Sequence, residues 1–218
     1  MYIDSLALKN FRNYESLDIK LSDKINILYG DNAQGKTNII EAIYMSATTR
    51  SHKKSKDRDI IRFGEENSYI RVGLKKRDVG HRIDVHIKGS GNKGIAIDGI
   101  PIKKSTELFG LINVIIFSPE DLSIVKNGPG ERRRFMDMEI CQLSRLYYSN
   151  LSNYNKIIEQ RNNLLKQIAF NNKSGLEETL DVWDDQLIEV GKHIIKERFN
   201  FINMLNDIIS DIHKNVTS

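Results

Sequence analysis

The chain has 218 residues, 39% of them hydrophobic and 28% charged, which supplies a sizeable core and a length between one large domain and two small ones. Charges at Asp4, Lys9, Arg12 and Glu15 interrupt the start, and no later stretch reaches the ~20 apolar residues of a membrane span, so neither a signal peptide nor a membrane helix is expected and the protein is placed in the cytoplasm. The net charge of +4 permits a polyanionic partner without requiring one, and the single cysteine, Cys141, excludes an internal disulfide or thiolate zinc site and reads as a small buried hydrophobe.

In chain order, Tyr2, Ile3, Leu6 and Leu8 predict a first strand, and Leu17, Ile19 and Leu21 a second. Lys24 to Tyr29 reads as a buried strand running into Gly30. After Lys36, Ile39, Ile40, Ile43 and Tyr44 fall at helical spacing, so a helix opens there and ends near Thr48. From Ser68 to Asp98 the period becomes two, broken at Asp78 to Gly80 and Gly89 to Gly94, which predicts an antiparallel meander. A short helix is expected around Ser105 to Phe109. Ile112 to Phe117 then reads as a central buried strand ending at Ser118-Pro119.

Beyond Gly128-Pro129-Gly130, apolar residues recur at threes and fours, which predicts two or three long helices. One stripe runs through Leu143, Leu146, Tyr147, Leu151, Tyr154, Ile157, Ile158, Leu164 and Leu165. Another runs through Trp183, Leu187, Val190, Ile194, Ile195, Phe199, Ile202 and Leu205, with Asn171 to Gly175 as the turn between them. Such stripes read as mutual helix packing, with Trp183 a core anchor. The expected division is a first lobe over 1–125 and a helical second lobe over 126–218.

The segment Gly30-Asp31-Asn32-Ala33-Gln34-Gly35-Lys36-Thr37 has the spacing G-x-x-x-x-G-K-[ST]. Gly30 and Gly35 let the backbone wrap with its N–H groups inward, where they and the following helix N-terminus hold a triphosphate. Lys36 reaches the outer phosphates, and the Thr37 hydroxyl supplies a ligand for Mg2+. A Gly-rich turn that binds nothing is the bland alternative. A hydrolase of this class also needs an acid at the end of a second buried strand. Glu120 or Asp121 stands after the Ile112 to Phe117 run, although Pro119 moves both off the strand end. His81 and His86, five apart on one strand, face opposite sides and form no metal pair.

Three motifs in order carry a resemblance: L-x-L-x-N-F-R-N-Y at Leu6 to Tyr14, GDNAQGKTNIIEAIY at Gly30 to Tyr44, and SPEDLSIVKNGPGERRRFMD at Ser118 to Asp137. With EQRNNLLKQ at Glu159 to Gln167 they span nearly the whole chain, which resembles the N-terminal portion of the RecF family of bacterial DNA replication and repair proteins. The resemblance implies an α/β fold of the P-loop NTPase kind, an ABC-type, SMC-like ATPase head with mixed and antiparallel sheet followed by a helical second lobe. It implies ATP as ligand, head dimers around two nucleotides, slow hydrolysis in the complete protein, DNA gaps and junctions as partner, a part in recombinational repair and SOS induction, and RecO and RecR as further partners. It makes Arg12 an additional phosphate contact, Asn13 a supporting one and Asp59 a weaker candidate near the base, with Asn38 counted among the nucleotide-binding residues of the loop. Two departures stand against it. The signature segment of the Leu-Ser-x-Gly-Gln kind and the later strand ending in a catalytic acid do not occur in these 218 residues, whether the length is natural or a truncation. The glutamine that related proteins place after the Ile112 to Phe117 strand is also missing, and Glu120 is the candidate substitute at the metal.

The basic clusters Arg50, Lys53, Lys54, Lys56, Arg58 and Arg132, Arg133, Arg134 read either as solvated faces or as DNA contacts. Three functions are weighed: an ATP-gated DNA-binding head, an interaction module that nucleotide stabilises without turnover, and a small phosphotransferase using the same loop. Two strands precede the loop and no Arg-rich lid is visible, which disfavours the third.

Overall fold

A computed structural model describes residues 1–53, 55–91, 93–104, 107–108, 110–171 and 178–217. They divide into two units, Met1–Leu122 and Ser123–Ser218. In the first, β1 (Tyr2–Phe11) and β2 (Tyr14–Lys20) form a hairpin, α1 spans Lys36–Thr48, a 3-10 turn spans Asp57–Ile60, and β3 (Asn67–Lys76), β4 (Val79–Lys88), β5 (Lys93–Ile97) and β6 (Ile100–Pro101) follow. The six strands form one antiparallel sheet in the order β2-β1-β3-β4-β5-β6.

The meander is set by its turns and its alternation. Arg77 and Asp78 both hold positive φ, 49° and 65°, in the two-residue turn between β3 and β4, the conformation whose twist matches that of the flanking strands. Along β3 every second residue (Ser68, Ile70, Val72, Leu74) is buried, and Ile83, Val85 and Ile87 answer them from β4. The apolar ones pack with Leu6, Leu8 and Phe11 of β1 and with Ile39, Ala42 and Met45 of α1. Each large one contributes roughly 1.5–3 kcal/mol on burial.

Two expected strands are not formed. Lys24 to Tyr29 pairs with no described strand, and Ile25, Ile27 and Tyr29 are exposed, Tyr29 at 91%. Ile112 to Phe117 is likewise irregular. Ile112 joins the core, but Ile115 and Phe117 face solvent, Phe117 at 95%. A mostly apolar, β-branched run signals a strand buried on both faces with a neighbour at each edge. The sheet described here runs from β2 to β6 and offers these segments no neighbour. Its parallel component is therefore absent among the described residues, and the meander supplies all the pairing. Of the helix expected around Ser105 to Phe109 only Glu107 and the buried Leu108 are described, and the turn after Asn171 lies outside the described residues.

The second unit holds a short α2 (Ser123–Lys126), then α3 (Pro129–Leu143), α4 (Arg145–Asn171) and α5 (Glu178–Thr217). Pro129 at the first position of α3 suits a proline, because the missing N–H has no partner there anyway. Tyr147, Ile157 and Leu164 of α4 and Ile194 and Phe201 of α5 are buried. The phase of the expected stripes is partly displaced, since Leu143, Leu146, Ile195, Phe199 and Ile202 are exposed. A polar knot ties the three helices: Arg198 on α5 donates through Nε and Nη2 to the Asp137 carboxylate at 2.9 Å each, and the Tyr147 hydroxyl donates to Asp137 Oδ1 at 2.5 Å. Burial first, then the Asp137 hydrogen bond and charge, push the Tyr147 hydroxyl well above its ordinary range. Arg161 and Asp184 add a two-pronged pair between α4 and α5, at 2.5 and 3.2 Å. Cys141 is buried, as expected of a small hydrophobe.

Candidate nucleotide site

The loop before α1 is built on left-handed residues. Gly30 has φ 134°, Ala33 65° and Gly35 97°, and Gly35 is the N-cap of α1 without a side-chain cap. A Cβ on Gly35 would lie 2.7 Å from the Asn13 side-chain oxygen and 2.9 Å from the Tyr14 ring, so only glycine fits. The first turn of α1 carries no acid, and its free N–H groups keep the partial positive charge that attracts an anion. Lys36 Nζ donates to the carbonyls of Gly30 and Asp31 at 2.7 and 2.5 Å, which holds the ammonium over the loop it must serve. Asn32, Ala33, Gln34 and Thr37 are exposed, and Thr37 sits in the first turn of α1. Closely fitted glycine, ammonium and hydroxyl fit a triphosphate and its metal.

The tip of the β1–β2 hairpin braces this loop. Asn38 Nδ2 donates to Asn13 Oδ1 at 2.9 Å, and the Tyr14 hydroxyl donates to the Gln34 carbonyl at 3.3 Å. The same tip is fixed on its other side: the Arg12 N–H donates to the Ile60 carbonyl and the Arg62 N–H to the Asn10 carbonyl. Arg12, at φ 55°, turns its guanidinium onto Glu41 of α1, with Nε to Oε2 at 2.9 Å and Nη2 to Oε1 at 2.6 Å. Its remaining donors meet the Ser55 hydroxyl at 2.6 Å and the Asp59 carbonyl at 2.8 Å.

Glu41 is fully buried, at 0% exposure, and also accepts from the Ser51 hydroxyl at 2.5 Å. Burial alone would raise its carboxyl. The hydrogen bonds from Arg12 and Ser51 and the charges of Arg12 and Lys53 outweigh that, and hold it below the ordinary glutamate value. Sequence reasoning missed this anchor. The available signal was an acid at position 41 inside the apolar run Ile39 to Tyr44, on the face that packs, while Ile40 turns out exposed.

The expected residues thus fall into groups. Arg12, Asn13, Asn38, Arg58 and Asp59 border one open cleft of about 1300 Å³, whose wall continues through Arg62 and the exposed Phe63. Asp59 also closes its own turn, its carboxylate accepting from the Lys56 N–H at 3.2 Å. Within the first basic cluster, Lys53 is turned inward, 3.9 Å from Glu41 and 3.4 Å from the Asn38 side-chain oxygen. Arg50, Lys56 and Arg58 remain exposed, and Lys54 lies outside the described residues. In the second unit Arg132 donates to the Ile124 and Asn127 carbonyls, Arg133 is exposed and Arg134 half-buried. The Glu120 side chain is not among the described parts. Its neighbour Asp121 accepts from the Ser118 N–H at 2.7 Å and so caps the turn Pro119–Leu122. Among the described residues no cluster of His, Cys, Asp and Glu is placed to hold a metal by itself. No described helix is long and apolar enough to cross a membrane.

A family model described as an AAA domain matches residues 5–215. The DNA replication and repair protein RecF of Lachnospira eligens is 58% identical over 217 residues, covering all of this chain and 60% of that protein. The solved structure of the recombination mediator protein RecF with ATP, from the RecFOR pathway, matches with a TM-score of 0.90 at 36% identity, over 94% of this chain and 55% of that one. A structure from work on ATP-driven dimerisation of SMC ATPases matches at TM-score 0.51 and 22% identity, over 66% of this chain and all of that one, which is a likeness of fold alone. The chain spans about 60% of the length of the curated relatives it matches.

Proposed function

The chain belongs to the AAA-domain family and corresponds to the N-terminal portion of RecF proteins, and from that premise we propose that it is the ATP-binding lobe of a DNA replication and repair protein. The observation that carries this reading is the loop itself: positive φ at Gly30, Ala33 and Gly35, an uncapped helix N-terminus, and Lys36 Nζ held over the Gly30 and Asp31 carbonyls. Gly30 to Asn38 bind the phosphates, and the Thr37 hydroxyl would hold magnesium, which when bound neutralises phosphate charge. Arg12 is proposed to act at one remove, fixing α1 through Glu41 while Asn13 and Asn38 shape the edge of the site.

In the complete protein, nucleotide-dependent pairing of two heads would build the DNA surface for gaps and junctions. Arg50, Lys53, Lys54, Lys56, Arg58 and Arg132 to Arg134 supply the phosphate contacts, with RecO and RecR as partners, a cytoplasmic setting and a part in SOS induction. Lys53 and Arg132 already hold internal partners, so Arg50, Lys56, Arg58 and Arg133 are expected to contribute most. The segments that complete catalysis in the family are absent from these residues, so tight ATP binding with little turnover is expected of this chain alone.

Equilibrium binding of a fluorescent ATP analogue with magnesium tests the first step, comparing wild type with Lys36→Ala, with light scattering to follow pairing. Loss of binding in the variant supports the reading, and equal binding by the two proteins refutes it. DNA affinity that falls steeply with salt, and falls less steeply after Arg58→Gln, supports the DNA assignment. Affinity indifferent to salt overturns it.

A further inference from the structure

The sheet has a second face that the nucleotide site does not use. With Leu8, Ile70 and Val85 turned into the core, the paired register puts Lys9, Tyr69, His86 and Gly94 in one row across the opposite face. The next row runs Ala7, Arg71, Asp84 and Ala96. The Tyr69 and His86 rings stack at 4.2 Å between centroids and 12° between planes. Gly94, opposite His86, has no side chain, and Ala7 and Ala96 are small, so the ring pair stands in a shallow groove of about 500 Å³ whose lining extends to Pro101. Tyr69 keeps 44% of its surface exposed, unusual for a large aromatic that has a stacking partner and is flanked by core strands. His86 Nε2 is buried without a hydrogen-bond partner among the described residues, a polar atom at the groove with unused capacity.

The charge around the groove is positive. Lys9 is exposed beside Tyr69, and two acids stand in these rows: Asp18, opposite Ala7 on β2, and Asp84, which is shared between Arg71 at 2.6 Å and Arg82 at 2.9 Å, so the three cations outnumber them by one. Burial, and then Lys88, hold the His86 imidazole below its ordinary value, so at neutral pH it acts as an uncharged stacking ring. An exposed aromatic on an open antiparallel sheet, ringed by cations and small residues, is the arrangement in which an unpaired base stacks on the ring while the sugar-phosphate chain tracks the cations. A duplex offers the phosphates but keeps its bases inside the stack, and an apolar peptide would gain nothing from Lys9 and Arg71.

We propose that the outer face of the sheet binds single-stranded nucleic acid, with one base stacked on Tyr69 and the backbone phosphates against Lys9, Arg71 and Arg82. This takes its partner class from the function proposed above, but none of the residues assigned there.

Fluorescence anisotropy of a labelled oligothymidylate with the full chain tests it, using wild type, Tyr69→Ala, Tyr69→Phe, Lys9→Gln and Lys36→Ala, with a duplex as second probe. Binding of the ATP analogue serves as the check that each sheet variant is folded. Tyr69→Ala is expected to weaken the single strand about 5- to 150-fold, the value of one base stack, with duplex affinity unchanged. Tyr69→Phe should bind as wild type, and Lys9→Gln should lower the salt slope by about 0.7. Absence of oligothymidylate binding in the wild type, equal binding by Tyr69→Ala, or a Tyr69→Phe variant as weak as Tyr69→Ala overturns the proposal. Lys36→Ala separates the two readings: it should lose the nucleotide and keep the oligothymidylate, and loss of both refutes an independent surface.

Discussion

Replacing Glu41 by Gln removes the charge of a carboxylate that is fully buried and accepts from Arg12 Nε, Arg12 Nη2 and Ser51 Oγ. Breaking a buried ion pair from one side typically costs ~3–5 kcal/mol, because the surviving charge is left desolvated. Arg12 is not wholly enclosed, with a side-chain exposure of 19%, and it keeps the Ser55 and Asp59 contacts, so the cost falls to the foot of that range or just below it, about 2–3 kcal/mol. In urea melts followed by far-UV circular dichroism, such a loss moves the midpoint of the sheet unit down by roughly 1–2 M for a slope of ordinary size. Arg12→Met should cost a similar amount. The double variant Arg12→Met/Glu41→Leu, in which both charges give way to apolar groups, should lose well under the sum, with a coupling of about 2 kcal/mol.

The pH dependence has a definite sign. The folded carboxyl lies below its ordinary value of 4.5, so its contribution is complete above that value and is lost as pH falls through the folded one. Wild type should therefore lose stability on acidification faster than Glu41→Gln. A single variant costing less than about 0.5 kcal/mol, or a double variant as unstable as the sum, would refute the anchor. The double variant also isolates the nucleotide question: if stability recovers and ATP affinity does not, Arg12 touches phosphate as well as α1.

Two further outcomes are expected. Gly35→Ala should abolish ATP binding, since its Cβ meets Asn13 and Tyr14 at under 3.0 Å at φ 97°, whereas Gly30→Ala, with nothing within 4 Å, meets only the backbone strain of φ 134° and should weaken it less; equal loss in the two would refute the cradle geometry. Amide hydrogen exchange should be fast over 24–29 and 112–117, and early protection of both runs would refute the unpaired state described here.

What was legible in the sequence depended on whether its cause was local. The β3–β4 hairpin was legible because strict alternation lies on both sides of a short break, although the break expected at Asp78 to Gly80 is a two-residue turn at Arg77-Asp78, with Val79 and Gly80 already in β4. The start of α1 at Lys36 was legible because the glycine spacing of the loop has few other uses. Glu41 was not, since an acid in a helix ordinarily faces water, and only the hairpin tip 29 residues away shows that it does not. The phase of α5 failed for a related reason. A helix of 40 residues with isoleucine on more than one face offers several equally apolar stripes, and the choice of Ile194 and Phe201 over Ile195 and Ile202 is made by α3 and α4.

The two unformed strands follow the same logic at larger scale. Lys24 to Tyr29 and Ile112 to Phe117 have the composition of strands enclosed on both faces, and composition states what a segment needs, not whether its neighbours are at hand. A strand of this kind exchanges backbone hydrogen bonds along both edges, so leaving it single forfeits the ladder and exposes side chains such as Tyr29 and Phe117 together. The meander escapes that dependence because consecutive strands supply one another's partners across short turns. The phosphate loop is independent in the same way, since its bracing contacts at Asn13, Tyr14 and Asn38 all come from the first 38 residues.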